Sequence, residues 1–331
     1  VSLLVRRRLV ECLSTGVMML LLLAMMSLGC ALGDGGDVAV VLRNGVRMPV
    51  LSAGTWQYND TVAAEAVAAA LGVGFRHIDT ALDYGNQQGV SVGLKQSGVA
   101  RKDIFLTTKI PGCGAQGIRS GKCAEDSAAA LATDFEELST EYIDLVLLHF
   151  PACVTEEDCR VARSGCSAAN CEAARLQWRV LEDAYDAGKL RAIGVSNYCS
   201  SCLDCLDQER VQPMVNQVQY HIGMGKDPQG FLQMDAHRGI VTQAWSPLGA
   251  GGHGDDQILS GNLTKSIAKR HNKSTAQIAL KYILTNKVAV ATKSANPVHL
   301  AEDLQLFDFE LSREEMDSLD DANFASDDTP S

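Results

Sequence analysis

Residues 74–84 read GFRHIDTALDY, and this stretch shows a pattern that recurs along the chain and indicates its fold. A strand-like segment, Phe75–Asp79, ends at Asp79, and a short connection leads from there to Tyr84. The same arrangement recurs at Ile104–Lys109 and Ile143–His149, where apolar runs again end on a polar side chain. Short apolar runs bounded by polar loops predict buried strands.

Eight strand-like segments alternate with helix-like segments along the chain. The predicted strands are Leu51–Thr55, Phe75–Asp79, Ile104–Lys109, Ile143–His149, Ala192–Ser196, Met214–Gln219, Val241–Trp245 and Val288–Thr292. The helical patterns are Thr61–Leu71, Gln88–Gln96, Ala124–Leu138, Ala173–Ala187, Leu203–Glu209, Gly230–His237 and the long region Leu263–Thr285. Strands that alternate with helices favour parallel βαβ units, and eight such units predict a closed (β/α)8 TIM barrel of the α/β class.

A β-hairpin is predicted before the first barrel strand. Asn44 and Gly45 lie between the apolar runs Val38–Leu42 and Val46–Val50, and Asn-Gly in this setting is a strong hairpin signal. We expect this hairpin to plug the N-terminal end of the barrel. The alternative fold is an open doubly wound sheet, which predicts a Gly-x-Gly-x-x-Gly loop after the first strand. The residues that follow Gly54 do not match that loop.

Asp79, Tyr84, Lys109 and His149 are expected at one end of the barrel, because the carboxyl ends of parallel strands meet there. Together they supply the groups needed to protonate a carbonyl oxygen during hydride transfer. Tyr84 would be the general acid, Lys109 would lower the pKa of the phenol, Asp79 would hold Lys109, and His149 would orient the carbonyl oxygen. Each residue alone has a structural alternative: a helix cap for Asp79, packing for the two rings, and solvent contact for the ammonium.

The motifs around these residues resemble those of the aldo-keto reductases. GFRHIDTALDYGN (74–86), TTKI (107–110), LLHFP (147–151) and GVSNY (194–198) occur in the order and spacing typical of that family. The resemblance extends from about Val38 to Asp320. It implies reduction of aldehydes or small ketones to alcohols with NADPH. The alternative on the same barrel is a non-catalytic redox sensor or regulatory subunit that binds the nucleotide.

The resemblance also implies a set of cofactor-binding positions. Some of these positions match family residues that bind the nicotinamide carboxamide, and one matches the aromatic residue that stacks on the nicotinamide ring. Others match residues that contact the pyrophosphate or the adenosine 2′-phosphate. Strand-end capping and core packing are the alternatives for the polar and aromatic members. The implied residues are Thr55, Ser196, Asn197, Gln217, Trp245, Ser246, Leu248, Lys293, Ser294, His299, Glu302 and Asp303.

The residues that would meet the 2′-phosphate decide between NADPH and NADH. Lys293 and Ser294 match the family pattern, but His299 stands where Arg is usual and Asp303 where Asn is usual. Arg binds phosphate through a fixed fork of donors, whereas neutral His offers one donor. NADPH is the expected cofactor, and NADH remains the alternative.

The substrate pocket implied by the resemblance is formed by Trp56, His149 and Phe150. Trp56 could instead pack in the core, although its loop position favours the pocket wall. Phe150 stands where Trp is common in the family. Only 20 residues follow Leu311, and a helix is expected at SREEMDSLDD (312–321). A long C-terminal loop would therefore be missing, which predicts an open pocket for aldehydes or small ketones.

The first 33 residues have the three-part plan of a secretory signal peptide. Three consecutive arginines from Arg6 precede the apolar run Val17–Met26, and small residues follow up to Gly33. Residues 12–33 could instead remain as a membrane anchor. We therefore divide the chain into a leader, residues 1–33, and a barrel domain, residues 37–331. The secretory pathway, either the ER lumen or the exterior, is the expected location.

Cysteines and glycosylation triplets favour the same compartment. Nine of the 11 cysteines lie between residues 113 and 205, in the loops after the third, fourth and fifth strands. We expect disulfides to join these loops and one thiol to remain free. Three triplets, beginning at Asn59, Asn262 and Asn272, match the glycosylation pattern. The alternative for Cys199-x-x-Cys202-x-x-Cys205 is a metal site with a fourth ligand from elsewhere; we assign no metal.

The net charge of −11 argues against nucleic acid and anionic membranes as partners, because both require a basic face. The expected partner is a small carbonyl compound. Membrane contact is expected only if the leader is not cleaved, and we expect a monomer.

Overall fold

The structure is a computed structural model that describes residues 38–154, 166–249 and 256–322. The predicted leader, residues 1–33, lies outside the described residues. So do Cys159 and the last nine residues of the chain.

The described part of the chain begins with the predicted hairpin. Strands β1 (Ala39–Val41) and β2 (Arg47–Pro49) pair antiparallel. Gly45 has a φ of 86°, the left-handed conformation that this turn requires. Leu42 and Met48 are buried in an apolar cluster with residues that lie near the starts of barrel strands. The hairpin therefore covers the N-terminal end of the barrel.

Eight parallel strands form a closed barrel. They are β3 (Leu51–Gly54), β4 (His77–Asp79), β5 (Phe105–Ile110), β6 (Ile143–Leu148), β7 (Leu190–Ser196), β8 (Val215–Gln219), β9 (Val241–Trp245) and β10 (Ala289–Thr292). The last strand pairs with the first, with Val290 opposite Leu51. The predicted TIM barrel is confirmed, and the open sheet is wrong because an open sheet would leave both outer strands unpaired.

Helices connect the strands and cover the outside of the barrel. In the described ranges they are α1 (Asp60–Val73), α2 (Gln87–Gln96), α3 (Cys123–Leu138), α4 (Ala168–Asp186), α5 (Ser200–Asp204), α6 (Phe231–Arg238), α7 (Asp256–Ser260), α8 (Asn262–His271), α9 (Thr275–Thr285), α10 (Pro297–Asp303) and α11 (Arg313–Asp320). Within these ranges, none combines the length and the apolar character needed to cross a bilayer.

The long helical region Leu263–Thr285 is two helices rather than one. Asn272 adopts a left-handed conformation with a φ of 51° and ends α8. Ser274 then caps α9 through a capping box with Gln277. A Ser followed three residues later by Gln is a known start signal. The sequence therefore contains a signal for the break between the two helices, but the apolar periodicity on both sides of it favoured a single helix.

The prediction of a helix at Leu203–Glu209 is wrong in its position. The helix is α5 (Ser200–Asp204), and turns follow it. The side-chain amide of Gln212 donates hydrogen bonds to the carbonyls of Leu206, Asp207 and Glu209. Because the Gln212 side chain donates to these carbonyls, they have hydrogen-bond partners without a further helical turn.

Disulfides brace the loops at the carboxyl end of the barrel. Cys113 pairs with Cys123, Cys166 with Cys202, and Cys171 with Cys205. Cys153 is also disulfide-bonded, and Cys199 is a free thiol. Two of the three cysteines proposed as metal ligands are thus engaged in disulfides. No group of three or more metal-ligating side chains comes together in the described ranges.

Candidate active site

Four polar side chains meet at the carboxyl ends of β4, β5 and β6. Lys109 Nζ lies 2.6 Å from Asp79 Oδ1 and 3.3 Å from the Tyr84 hydroxyl. The rings of Tyr84 and His149 meet edge to face with their centroids 5.7 Å apart. The structure therefore brings together all four residues that the sequence suggested for catalysis.

Strand register explains why Asp79 and Lys109 meet. Asp79, the last residue of β4, pairs with Thr107 of β5. Side chains alternate along a strand, so Lys109, two residues later, points to the same side as Thr107 and one step further towards the carboxyl end. Tyr84 ends a short 3-10 helix, Leu82–Tyr84, which Gly85 terminates at a φ of 63°. This turn returns the phenol to the end of its own strand.

The ammonium of Lys109 is held in its charged form. The side chain is fully buried, and burial alone lowers the pKa of Lys109. The charge of Asp79, then Tyr84 and the hydrogen bonds to both, outweigh burial and raise the pKa above its ordinary value. Gln217 Nε2 donates to the other carboxylate oxygen of Asp79 at 2.7 Å, so that both oxygens are fixed.

The expected lowering of the Tyr84 pKa is wrong. Burial raises the pKa of the Tyr84 phenol, because the phenolate loses its hydration. The charge of Lys109 and its hydrogen bond act in the opposite direction, but Asp79 and Asp83 add to the effect of burial. The phenol is therefore protonated and adjacent to a permanent cation, which is a suitable state for a proton donor.

His149 is fixed by a carboxylate that the sequence interpretation did not include. Its Nδ1 lies 2.9 Å from Asp83 Oδ1. Its ring stacks on Phe150 with the centroids 4.5 Å apart. Burial lowers the pKa of His149, and the hydrogen bond to Asp83 opposes this lowering without cancelling it.

A cavity of about 460 Å³ opens over these residues, and Asp79, Tyr84 and His149 contribute to its lining. This volume lies within the range of small-molecule sites, roughly 300–1,000 Å³. Four residues of the lining other than glycine have positive φ angles: Gln57 at 65°, Gln116 at 44°, Asn197 at 62° and Ser246 at 48°. Backbone in this sparsely populated region is often concentrated at functional sites.

The suggested nicotinamide-binding residues form one hydrogen-bonded group beside the candidate catalytic residues. Asn197 Nδ2 donates to the Ser196 hydroxyl and to the backbone carbonyl of His149, both at 3.0 Å. Trp245 Nε1 donates to Asn197 Oδ1 at 3.0 Å. Asn197, Gln217 and Trp245 line the cavity. Ser196 is buried behind them and donates to the Gln217 carbonyl, so in this structure it supports the wall.

Some of the residues suggested for the phosphates line the cavity: Ser246, Leu248 and Lys293. Thr55, suggested as a further cofactor contact, lines it as well. Lys293 Nζ lies 3.0 Å from Gln57 Oε1 and 5.2 Å from the centre of the Tyr58 ring, and within the described residues it forms no ion pair. Burial lowers the pKa of Lys293. A cation with only neutral neighbours at a cavity mouth is suited to an anionic ligand.

The remaining suggested residues do not line the cavity. Ser294 is half-buried and bonds to the backbone of Asn296, while His299 is exposed on α10. The backbone carbonyl of Glu302 accepts from Gln277. Asp303 is buried, accepts from Thr292, and has its pKa raised to about 7 by burial. Its carboxyl group is directed to β10, which suits a structural role.

The suggested substrate residues form the outer wall. Trp56 is 42% exposed, so it is a wall residue and not a core residue. Trp56, His149 and Phe150 all line the cavity. The rings of Trp56, Phe150 and Trp245 therefore give the cavity apolar surface beside the candidate catalytic residues.

The cavity lining also contains polar residues that the sequence interpretation did not include, among them Asp83, Gln57 and Gln116. Asp83 lies within the stretch that carried the catalytic argument, and a carboxylate next to a candidate acid in a strand-end loop was a usable signal. The two glutamines lie in loops where no motif marks them, so only the folded arrangement reveals their position.

Comparison with known proteins gives one consistent result. The model of the Aldo/keto reductase family matches residues 50–323. Glyoxal reductase from Bacillus subtilis is 37% identical over 287 residues, which cover 86% of this chain and 92% of that protein. Morphine 6-dehydrogenase from Pseudomonas putida is 34% identical over 295 residues, covering 86% and 91%.

Solved structures agree with the sequence comparison. An aldo/keto reductase from Brucella melitensis superposes with a TM-score of 0.72 at 32% identity, covering 86% of this chain and 99% of that one. A Bombyx mori aldo-keto reductase in complex with NADP superposes with a TM-score of 0.73 at 26% identity, covering 86% and 92%.

Proposed function

The chain belongs to the aldo/keto reductase family and is an NAD(P)H-dependent oxidoreductase, and we propose that it uses NADPH to reduce aldehydes and small ketones, with Tyr84 as the general acid. The observation that carries this proposal is the contact of Lys109 Nζ with both Asp79 and the Tyr84 hydroxyl, at 2.6 and 3.3 Å, beneath the cavity.

The residues of the cavity fit a nicotinamide dinucleotide. The amides of Asn197 and Gln217 and the ring of Trp245 offer polar groups and an apolar face in the same wall. Lys293 lies at the mouth without an ion-pair partner among the described residues, as a phosphate-binding residue would. A bound reduced nicotinamide would supply a hydride to the carbonyl carbon.

Tyr84 is proposed to give its proton to the carbonyl oxygen. The phenol is protonated because burial raises its pKa. The resulting phenolate would be stabilised by the ammonium of Lys109, which is already in hydrogen-bond contact and needs no rearrangement. Asp79 and Gln217 hold that ammonium in place. The phenolate is then protonated again from solvent.

The substrate class is proposed from the lining of the cavity. Trp56, Phe150 and Trp245 present apolar surface, and Asp83 adds a negative charge near the catalytic groups. This arrangement favours neutral carbonyl compounds, whereas carboxylate-bearing ones would meet Asp83. Two relatives are named glyoxal reductase and morphine 6-dehydrogenase, which is consistent with a carbonyl or alcohol substrate here.

The decisive experiment compares the wild type with Tyr84→Phe. We expect turnover of NADPH with a panel of aldehydes to fall roughly 10²–10⁴-fold, because a positioned acid is removed. Binding of NADPH, followed by fluorescence, should change little. Tyr185→Phe is the matched control, since Tyr185 contacts Asn44 of the hairpin turn. Equal turnover in Tyr84→Phe and the control would reject the mechanism.

The alternative of a non-catalytic redox sensor is less well supported. A sensor has no need for an acid, and here the complete catalytic group is assembled under the cavity. We also propose that the protein acts in the secretory pathway. Support comes from the leader-like residues 1–33 and from the disulfides that brace the cavity rim.

A further inference from the structure

Asp83 makes a direct contact with the imidazole of His149 in the cavity wall. The Asp83 Oδ1 to His149 Nδ1 distance is 2.9 Å, and the side chains are 9% and 10% exposed. Both residues line the cavity. Their hydrogen bond therefore determines which ring nitrogen is left for a ligand.

The chemistry of the two groups decides the position of the proton. A carboxylate only accepts hydrogen bonds, so Nδ1 must be the donor in this contact. Neutral imidazole has a single N–H, and Nε2 is then left with a lone pair. A carbonyl oxygen also offers only lone pairs and cannot bond to that nitrogen. An alcohol hydroxyl can donate to it, and only the imidazolium can donate from it.

We propose that Asp83 is a positioning residue that keeps the proton of His149 on Nδ1, so that neutral His149 accepts a hydrogen bond from an alcohol and only protonated His149 donates one to a carbonyl. The inference deepens the proposed carbonyl reduction and rests on it. The pH therefore determines whether His149 binds the carbonyl substrate, when it is protonated, or the alcohol product, when it is neutral.

The surroundings of His149 set the direction of the pH effect. Burial lowers the pKa of His149 below its ordinary value, although the Asp83 hydrogen bond raises it. Lys109, at the end of β5, lowers the pKa, whereas Asp79, at the end of β4, raises it. Tyr84, whose ring touches the imidazole, is a further titratable neighbour. Carbonyl reduction should therefore weaken as pH rises through the pKa of His149, and binding of alcohol should strengthen.

The first test needs no catalytic activity. The ¹⁵N chemical shifts of the His149 ring should show protonated Nδ1 and bare Nε2 in the wild-type protein at neutral pH. Asp83→Leu removes the acceptor, so the N–H should move to Nε2 and the ring should titrate at lower pH than in the wild type. Asp83→Asn removes only the charge and should also lower the titration midpoint, which keeps the test valid if the leucine variant folds poorly.

The second test is the pH profile of carbonyl reduction. In the wild type, kcat/KM should fall about tenfold per pH unit above the pKa of His149, to a limit of about 10²–10³-fold. In both Asp83 variants, this fall of kcat/KM with rising pH should be absent or should occur at lower pH. Asp103→Asn, which removes an exposed carboxylate after α2, is the control and should keep the wild-type profile.

Two results would overturn the proposal: protonated Nε2 in neutral wild-type His149, or equal titration midpoints in the wild type and both Asp83 variants. Failure of the proposed function is recognised separately, by full turnover in Tyr84→Phe or by no turnover in any protein. Neither of those outcomes alters the ring-nitrogen measurement.

Discussion

Lys293 lines the cavity and Lys109 is buried beneath it, and their surroundings suit them to different tasks. Lys109 is fully buried and compensated by Asp79 at 2.6 Å. Lys293 has an amide and an aromatic ring as neighbours. A buried, paired ammonium stabilises an adjacent phenolate without leaving its place. A cation with neutral neighbours is free to meet an incoming phosphate.

The task assigned to Lys293 leads to a prediction about cofactor choice. Lys293→Ala should raise the KM for NADPH roughly 10- to 100-fold, because a hydrogen bond to a charged group contributes about 1.5–3 kcal/mol. The KM for NADH, which lacks the 2′-phosphate, should change only slightly. Steady-state kinetics with both cofactors measure the difference.

The control for this prediction is Lys102→Ala. Lys102 is exposed and precedes β5, at the opposite end of the barrel, so its loss should leave both KM values unchanged. Equal increases for NADPH and NADH in Lys293→Ala would show that the lysine does not recognise the 2′-phosphate.

At Tyr84 the sequence indicated the residue but not its electrostatics. Lys109 was expected to lower the pKa of the phenol, but burial prevails and raises it. Desolvation depends on every atom around the hydroxyl, and those atoms come from distant parts of the chain. The contact that Asp83 makes likewise depends on the fold, since its partner His149 is 66 residues away in the chain.

At the scale of elements, strands were better predicted than helix limits. Each predicted barrel strand overlaps an observed one, because short apolar runs between polar loops leave few alternatives. Helices α7 and α10 were not predicted; each is short, at five and seven residues. A helix of that length has little room for an apolar periodicity, and its existence depends on tertiary contacts.

Disulfides join the elements that follow β6 and β7. Cys171 of α4 pairs with Cys205, which directly follows α5, and Cys166 pairs with Cys202 of α5. Asn197, a cavity residue, lies only a few residues before α5. We therefore expect the bridges to stabilise the wall that carries the suggested nicotinamide-binding residues.

Removing one bridge should have a measurable cost. The double variant Cys171→Ser/Cys205→Ser should lose about 2–4 kcal/mol of unfolding free energy, as for other disulfides that close loops of moderate length. Chemical denaturation measures the change. Cys199→Ser is the matched control because Cys199 is a free thiol, and it should be neutral within about 0.5 kcal/mol. Equal stability of the double variant and the control would show that this bridge is absent or unimportant.

At the scale of the molecule, barrel closure is what makes the site. Asp79, Lys109 and His149 come from three neighbouring strands, and Gln217 reaches Asp79 across the barrel from β8. The hairpin covers the opposite end, where its buried residues pack on the starts of strands. One end is therefore sealed, and the other is free for ligands.

The leader-like segment leads to a prediction for the whole chain. Translated behind an initiator Met with ER-derived microsomes, the full chain should become protected from added protease, and a chain lacking residues 1–33 should not. A cleaved signal peptide should shorten the protected product and let carbonate release it, whereas an anchor formed by residues 12–33 should keep it in the membrane. A full chain that remains accessible to protease would contradict the secretory proposal.

The barrel, the hairpin and the four catalytic candidates were predictable from local signals: apolar periodicity, an Asn-Gly turn and polar strand ends. The behaviour of those candidates, by contrast, follows from the folded arrangement. The raised pKa of Tyr84, the partner of His149 and the neutral neighbours of Lys293 all depend on contacts between residues far apart in the chain. Burial and hydrogen bonding at a site are properties of the closed barrel, and they arise only when its strands have come together.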